Sequence, residues 1–300
     1  MVNRLEKFRF PMVVAVLTLF LPGVPTAGAD ETGSGWLSAW NRKEASRADS
    51  GSMARAGAKR LKVEVGAGSL EIQGTRAGTE ITYEAKVTAW AKTREQAEEL
   101  LREVEIREGG KGDSLTLESR GPGNLNHRGF SIDLTIRVPQ DLFLDITDGS
   151  GSIRIEDVQG GIRIQDGSGE IELKHVGGDT RIKDGSGEIR ITDLDVSRGG
   201  SGAGKIRITD GSGRIDLDRI TGDLDINDGS GEIRIVQLKG SLDLNDGSGS
   251  ITILGVVGDV EISDGSGNIR LDDVSGNVRL HSVGSGGVNI GKVSGTIHRP

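Results

Sequence analysis

From Asp148 to the C-terminus, aliphatic and polar residues alternate in short bursts that return at a fixed interval. In Asp228 to Asn245, Ile233 and Ile235 alternate with Glu232 and Arg234; Leu238 follows, then Gly240, then Leu242 and Leu244 on either side of Asp243. Strict alternation predicts strands with one buried face. Each unit therefore holds two short strands, an apolar corner and two glycine-bearing turns. Asp-Gly-Ser-Gly opens units at Asp148, Asp166, Asp184, Asp210, Asp228, Asp246 and Asp264, and a degenerate copy opens at Val283. Between the seven exact copies the step is 18 residues except between Asp184 and Asp210, where it is 26.

The corner residues keep register throughout, as Val158, Val176, Leu194, Ile220, Leu238, Val256, Val274 and Val293. That register places the eight extra residues of the long step between Leu194 and Gly204, and predicts an inserted glycine-rich loop at 195–203 that leaves the repeat and returns. A unit buries about five aliphatic side chains, worth roughly 1.5–3 kcal/mol each. Ordering its residues costs roughly 1–2 kcal/mol apiece in backbone entropy. A lone unit loses that contest, so the units must stack and share a core. The outward column of the first strand, Arg154, Glu172, Arg190, Asp216, Arg234, alternates in charge, as stacking about 4.8 Å apart favours. A left-handed hexapeptide helix needs an inward residue every six positions; the inward steps here are two, three, four and two. The pattern predicts an all-β, single-stranded β-helix (β-solenoid) of 18-residue rungs, right-handed, over residues 148–300.

Residues 61–147 predict an irregular β segment that starts the solenoid. Strands are expected at Leu61–Val65, Leu70–Ile72, Ile81–Tyr83, Leu115–Leu117 and Ile132–Val138. One capping helix is expected near 93–106. Thr93 and Gln96 have capping-box spacing, and Ala97, Leu100, Leu101 and Val104 form an apolar face. Residues 30–60, poor in apolar positions, read as a flexible linker, with a docking peptide around Trp36 and Trp40 as the alternative. Residues 1–29 read as a signal peptide: Arg4, Lys7 and Arg9, then the apolar run Met12–Leu21, then Ala27-Gly28-Ala29. Export to the periplasm, cell surface or medium is the expectation, with no transmembrane span left after signal removal.

The layout resembles the putative-adhesin family of bacterial β-strand-repeat proteins, a family of unknown function. The matching residues are Leu-x-Val-x-Val-x-x-Gly-x-Leu-x-Ile at Leu61–Ile72, the helix near Thr93, Ile-Arg-Val-Pro at Ile136–Pro139 and the tandem Gly-Ser-Gly-x-Ile-x-Ile units. The resemblance implies a solenoid fold and an adhesive role, and brings no catalytic residues with it.

Candidate chemistry is sparse. Gly112-Asp113-Ser114-Leu115 spells an esterase nucleophile block, but no Asp-x-x-His occurs, and a turn is expected there. Gly199 to Lys205 matches a phosphate loop, but Ile206 stands where Ser or Thr should be, and a strand follows instead of a helix. Polysaccharide-active β-helix enzymes line their grooves with aromatic residues, and none occurs after Asp148. The four histidines, at 127, 175, 281 and 298, are scattered. An enzyme is therefore the lesser alternative, and no cofactor is expected. Between Asp148 and Pro300 there are 25 acidic and 17 basic residues, an excess equal to the whole chain's net charge of −8. Nucleic acid is an unsuitable partner for such a surface.

Asp148, Asp166, Asp184, Asp210, Asp228, Asp246 and Asp264 form one column. They are expected to cap their turns, and their alternative role is a calcium ladder. The sequence thus favours a non-catalytic, exported binding module with an envelope or surface ligand. A scaffold that self-associates end to end is the alternative.

Overall fold

The computed structural model describes residues 42–300, apart from 77, 124, 126, 127 and 200–203. The expected signal peptide, Trp36 and Trp40 lie outside these residues. Two sheets of 12 strands each face one another across a continuous aliphatic core. Every rung gives one strand to each sheet, and successive rungs pair in parallel at the 18-residue step. Ile171 pairs with Ile189, Ile215 with Ile233 and Ile233 with Ile251. The corner residues stack as expected, from Val176 on Leu194 to Val274 on Val293. In the rung opened by Asp228, Ile233, Ile235, Leu238, Leu242 and Leu244 are all buried.

The turn glycines are structural necessities. Gly231 has φ +149°, and a Cβ there would overlap the carbonyl oxygen of Gly213 one rung below. Each Gly-Ser-Gly turn is thus a layer of bare backbone laid on the next.

The amino-terminal part supplies the outermost strands. These are β1 (Lys43–Ala54), β2 (Arg60–Glu64), β3 (Ala67–Thr75), β4 (Glu80–Ala91), α1 (Arg94–Glu103), β5 (Glu105–Lys111), β6 (Ser114–Arg120) and β7 (Gly129–Pro139). The repeats begin with β8 (Phe143–Thr147) in the second sheet and β9 (Ser150–Glu156) in the first. The first sheet runs β1-β4-β7-β3-β9 and on through the rungs; the second runs β5-β6-β2-β8 and on. β1 with β4, β4 with β7, and β5 with β6 are antiparallel.

The helix is where capping chemistry places it. The Gln96 amide donates to Thr93 Oγ1 at 3.3 Å, and Ala97, Leu100 and Leu101 are buried. It lies against β1 and β4. Arg47 on β1 donates to the carbonyls of Leu101 and Val104, fixing the helix end.

Two expectations are corrected. Residues 43–54, read as linker, form the edge strand β1, paired with β4 from Lys43↔Ala91 to Ala54↔Glu80. Its backbone fills the hydrogen bonds that β4 would otherwise leave open, so pairing rather than apolar content makes it a strand. The inserted loop also does not leave the solenoid at once. Val196–Gly199 form a turn of 3-10 helix and Val196 is buried in the core. The register survives, with Leu194 on Ile220 and Thr180 on Ile206.

Candidate functional site

The seven turn aspartates lie inside the solenoid. Each is two residues beyond the last inward aliphatic of its strand, as Asp228 follows Ile226, so alternation turns it inward. Asp184, Asp210, Asp228, Asp246 and Asp264 are in-register neighbours on consecutive rungs. All seven residues are between 2 and 9 % exposed. In five of them Oδ1 accepts the amide of the serine two residues on, at 3.0–3.3 Å. Oδ2 of every one is buried without a hydrogen-bond partner. The column ends in apolar residues: Val283 is in register with Asp264, and Val65 follows Glu64, the partner of Thr147.

Burial raises all seven carboxyl pKa values above the ordinary aspartate range. For Asp148, Asp210 and Asp246 burial together with neighbouring carboxylates pushes them up to about 6. For Asp166 the cause is burial and then Asp184; for Asp184, Asp228 and Asp264 it is burial. The capping role expected of these residues is present in five of the seven. Exposure to water is not, so repulsion between them is felt at a lower dielectric than at a surface. The arrangement suits shared protons, a protonated carboxyl donating to the free oxygen of its neighbour. The aspartates stand in single file, and among the described residues no group of three or more carboxylates or histidines is placed to hold a metal ion.

The two outer faces differ. On the first sheet, opposite charges interleave. Arg154 Nε lies 2.6 Å from Glu172, Arg190 bridges Glu170 at 3.0 Å and Glu188 at 2.6 Å, and Arg234 lies 3.8 Å from Asp216. Arg154 and Lys174 hold the Glu172 carboxyl below its usual range, the hydrogen bond from Lys174 being the largest cause. On the second sheet the central outward column reads Asp145, Arg163, Arg181, Arg207, Asp225, Asp243, Glu261, Arg279. Phe143 sits at one end of this face with the Arg60 guanidinium 4.5 Å over its ring. A shallow cleft of about 130 Å³ is lined by Phe143, Arg163, Arg181, Lys205 and Arg207 among others.

A family model described as Toastrack DUF4097 matches residues 58–257, two thirds of the chain. The chain belongs to the Toastrack family. No curated protein matches it. Among solved structures, it is similar to one described as a putative lipid binding protein from Parabacteroides distasonis, at 12 % identity over 84 % of this chain and 96 % of that one, with a TM-score of 0.36. It is also similar to a putative adhesin from Parabacteroides merdae, at 11 % identity, 84 % and 96 % coverage and a TM-score of 0.34. A third is a putative cell adhesion protein from Clostridium sporogenes, at 12 % identity, 85 % and 100 % coverage and a TM-score of 0.28.

The motifs that mimic catalytic sequences fall on ordinary elements of this Toastrack fold. Gly112 and Asp113 form the two-residue turn joining β5 to β6, with Lys111 paired to Ser114. Lys205 opens a strand, Lys205–Asp210, rather than a helix. His175 lies 3.8 Å from Glu156 and from Asp157, and His281 lies 2.9 Å from Glu261, on separate rungs; His127 is outside the described residues. Among the described residues no helix is long and apolar enough to cross a membrane. Sequence reading missed the charge segregation on the second sheet, although the fifth residue after each corner from Val158 to Val256 carries it, apart from Leu194, where the insertion moves it to Arg207.

Proposed function

We infer that this Toastrack chain is a non-catalytic, exported, adhesin-like binding module of the cell envelope or surface. It recognises charged, extended ligands along an outer face. The observation that carries this reading is the division of labour between inside and outside. The core is packed with aliphatic side chains and a sealed aspartate column, while the arginines and most acids stand in rows on flat exterior sheets. Rows repeating every rung suit a partner whose own charges repeat, such as a charged envelope polymer, better than a small substrate that needs a concave site. The acids recur evenly from rung to rung along the outer faces, which supports a binding role over hydrolysis.

The test is co-sedimentation of the purified protein with isolated envelope polymers and with vesicles of either charge, at low and high salt. Retention that weakens with salt is the expected result. Passage of the protein through every envelope fraction at low salt would remove this reading.

A further inference from the structure

The outer face of the second sheet is arranged against its own chain. Arg163, Arg181 and Arg207 are in-register neighbours, and the next three rungs place Asp225, Asp243 and Glu261 in the same column. Like charges directly opposed on neighbouring strands are destabilising, and the central outward column of the first sheet, Arg154, Glu172, Arg190, Asp216 and Arg234, avoids them by alternation. Partners within the chain relieve only the margins. Arg207 pairs with Asp225 at 2.9 Å, Arg163 reaches Asp145 at 3.7 Å and Glu261 takes Arg279 at 3.0 Å. Arg181 and Asp243, the centres of the two triads, are exposed and make no ion pair among the described residues.

The six positions form a self-complementary series about the midpoint between Arg207 and Asp225. A two-fold axis parallel to the strands at that midpoint, lying between two facing sheets, reverses the rung order and keeps the column. It sets Arg207 against Asp225, Arg181 against Asp243 and Arg163 against Glu261 of a second copy, and repeats each pair by symmetry. The same operation brings Lys205 to Asp223, its in-register neighbour's position in the adjoining column. The two side chains left unpaired in one chain are each other's mates under this single operation.

We propose that a second copy of this chain docks on the second sheet's outer face, forming a closed, antiparallel, face-to-face dimer held by these charge triads. The six rungs span about 24 Å and the strands about 17 Å across. That patch of roughly 400 Å² per partner is about half of a standard interface, so the dimer is weak and salt-sensitive. The proposal does not depend on the ligand reading above, because it leaves the first sheet's outer face free.

Sedimentation velocity of the purified protein over a concentration series tests it. Expected is a monomer–dimer equilibrium with no larger species, weakened about tenfold or more between low and high salt. Arg181→Asp and Asp243→Arg should each weaken dimerisation about tenfold or more, since each reversal creates two like-charge contacts across the axis. The double variant swaps the pair and should recover the wild-type association to within a few-fold. Circular dichroism melts verify folding. Both single variants should melt no lower than the wild type, because each breaks up a run of like charges within the chain. A monomer at every concentration, species that keep growing, single variants that associate normally, or a double variant that fails to recover would each overturn the proposal.

Discussion

Asp184 and Asp210 are in-register neighbours on adjacent rungs, with a free buried oxygen on each, although the inserted segment separates them by 26 residues. The insertion has been accommodated without breaking the file of carboxyls that runs through the core. Burial raises the pKa of every carboxyl in that file, so its contribution to stability depends on pH.

Stability should therefore be greatest on the acid side of neutrality. The folded chain binds protons at Asp148, Asp210 and Asp246 up to about 6, above the ordinary value of 3.8. Groups raised in this way contribute fully below about pH 4, and that contribution is lost as pH rises through about 6. Glu172 and Asp141, lowered chiefly by hydrogen bonds from Lys174 and from Arg55, act in the opposite sense and lose their contribution as pH falls through their folded values. The two trends place the maximum between about pH 4 and 6. Thermal melts across that range and up to about pH 8 check it; a melting temperature that climbs from about pH 5 to 8 would contradict the assignment. Asp210→Asn should stabilise the protein by about 1–3 kcal/mol near pH 8 and change little near pH 4.

Calcium should leave the melting temperature unchanged at neutral pH. Calcium takes six to eight oxygen ligands around one point, whereas the column offers its free oxygens one per rung. A calorimetric scan with calcium and with a chelator decides the matter, and a calcium-dependent rise would restore the ladder as a metal site.

The two faces of one strand should respond very differently to charge. Ile189 is fully buried between Ile171 and Ile215, so Ile189→Asp places an unpaired carboxylate in the core and should cost about 3 kcal/mol or more. Glu188, half-buried on the outer face beside Arg190, should cost well under about 1 kcal/mol when replaced by Lys. Urea unfolding of the two variants measures the contrast; equal midpoints would mean that the faces are exchanged.

Glycine substitutions separate the stacked turns from ordinary ones. Gly231→Ala drives a methyl into the Gly213 carbonyl at a positive φ and should cost about 2 kcal/mol or more. A Cβ on Gly66 meets nothing within 4 Å, so Gly66→Ala should stay within about 0.5 kcal/mol of the wild type. Chemical denaturation of both variants supplies the comparison.

The rungs were legible in the sequence because three signals agree: the 18-residue period, the strict alternation and the glycine turns. The inward placement of the aspartates was written in the same alternation, since Leu224, Ile226 and Asp228 share parity. Polarity argued the other way, and packing overrode it. β1 left no such trace. Of its 12 residues only Ala45 and Met53 are buried, and its strand character comes from β4, whose edge it completes. The charge triads were visible as columns, but their meaning depends on which rungs face outward together, and the register of the second strands supplies that.

The segment after Leu194 carries one last consequence. Eight added residues enter at the corner of a single rung, between its strands Gly187–Asp195 and Lys205–Asp210, Val196 is folded into the core, and the strands on both sides continue in step. The corner is thus a splice point, where foreign sequence can be carried on a rigid rod without altering its length, its pairing or the spacing of the rows on either face. A peptide grafted there would be displayed at a fixed height along the molecule, as a flag is on a mast.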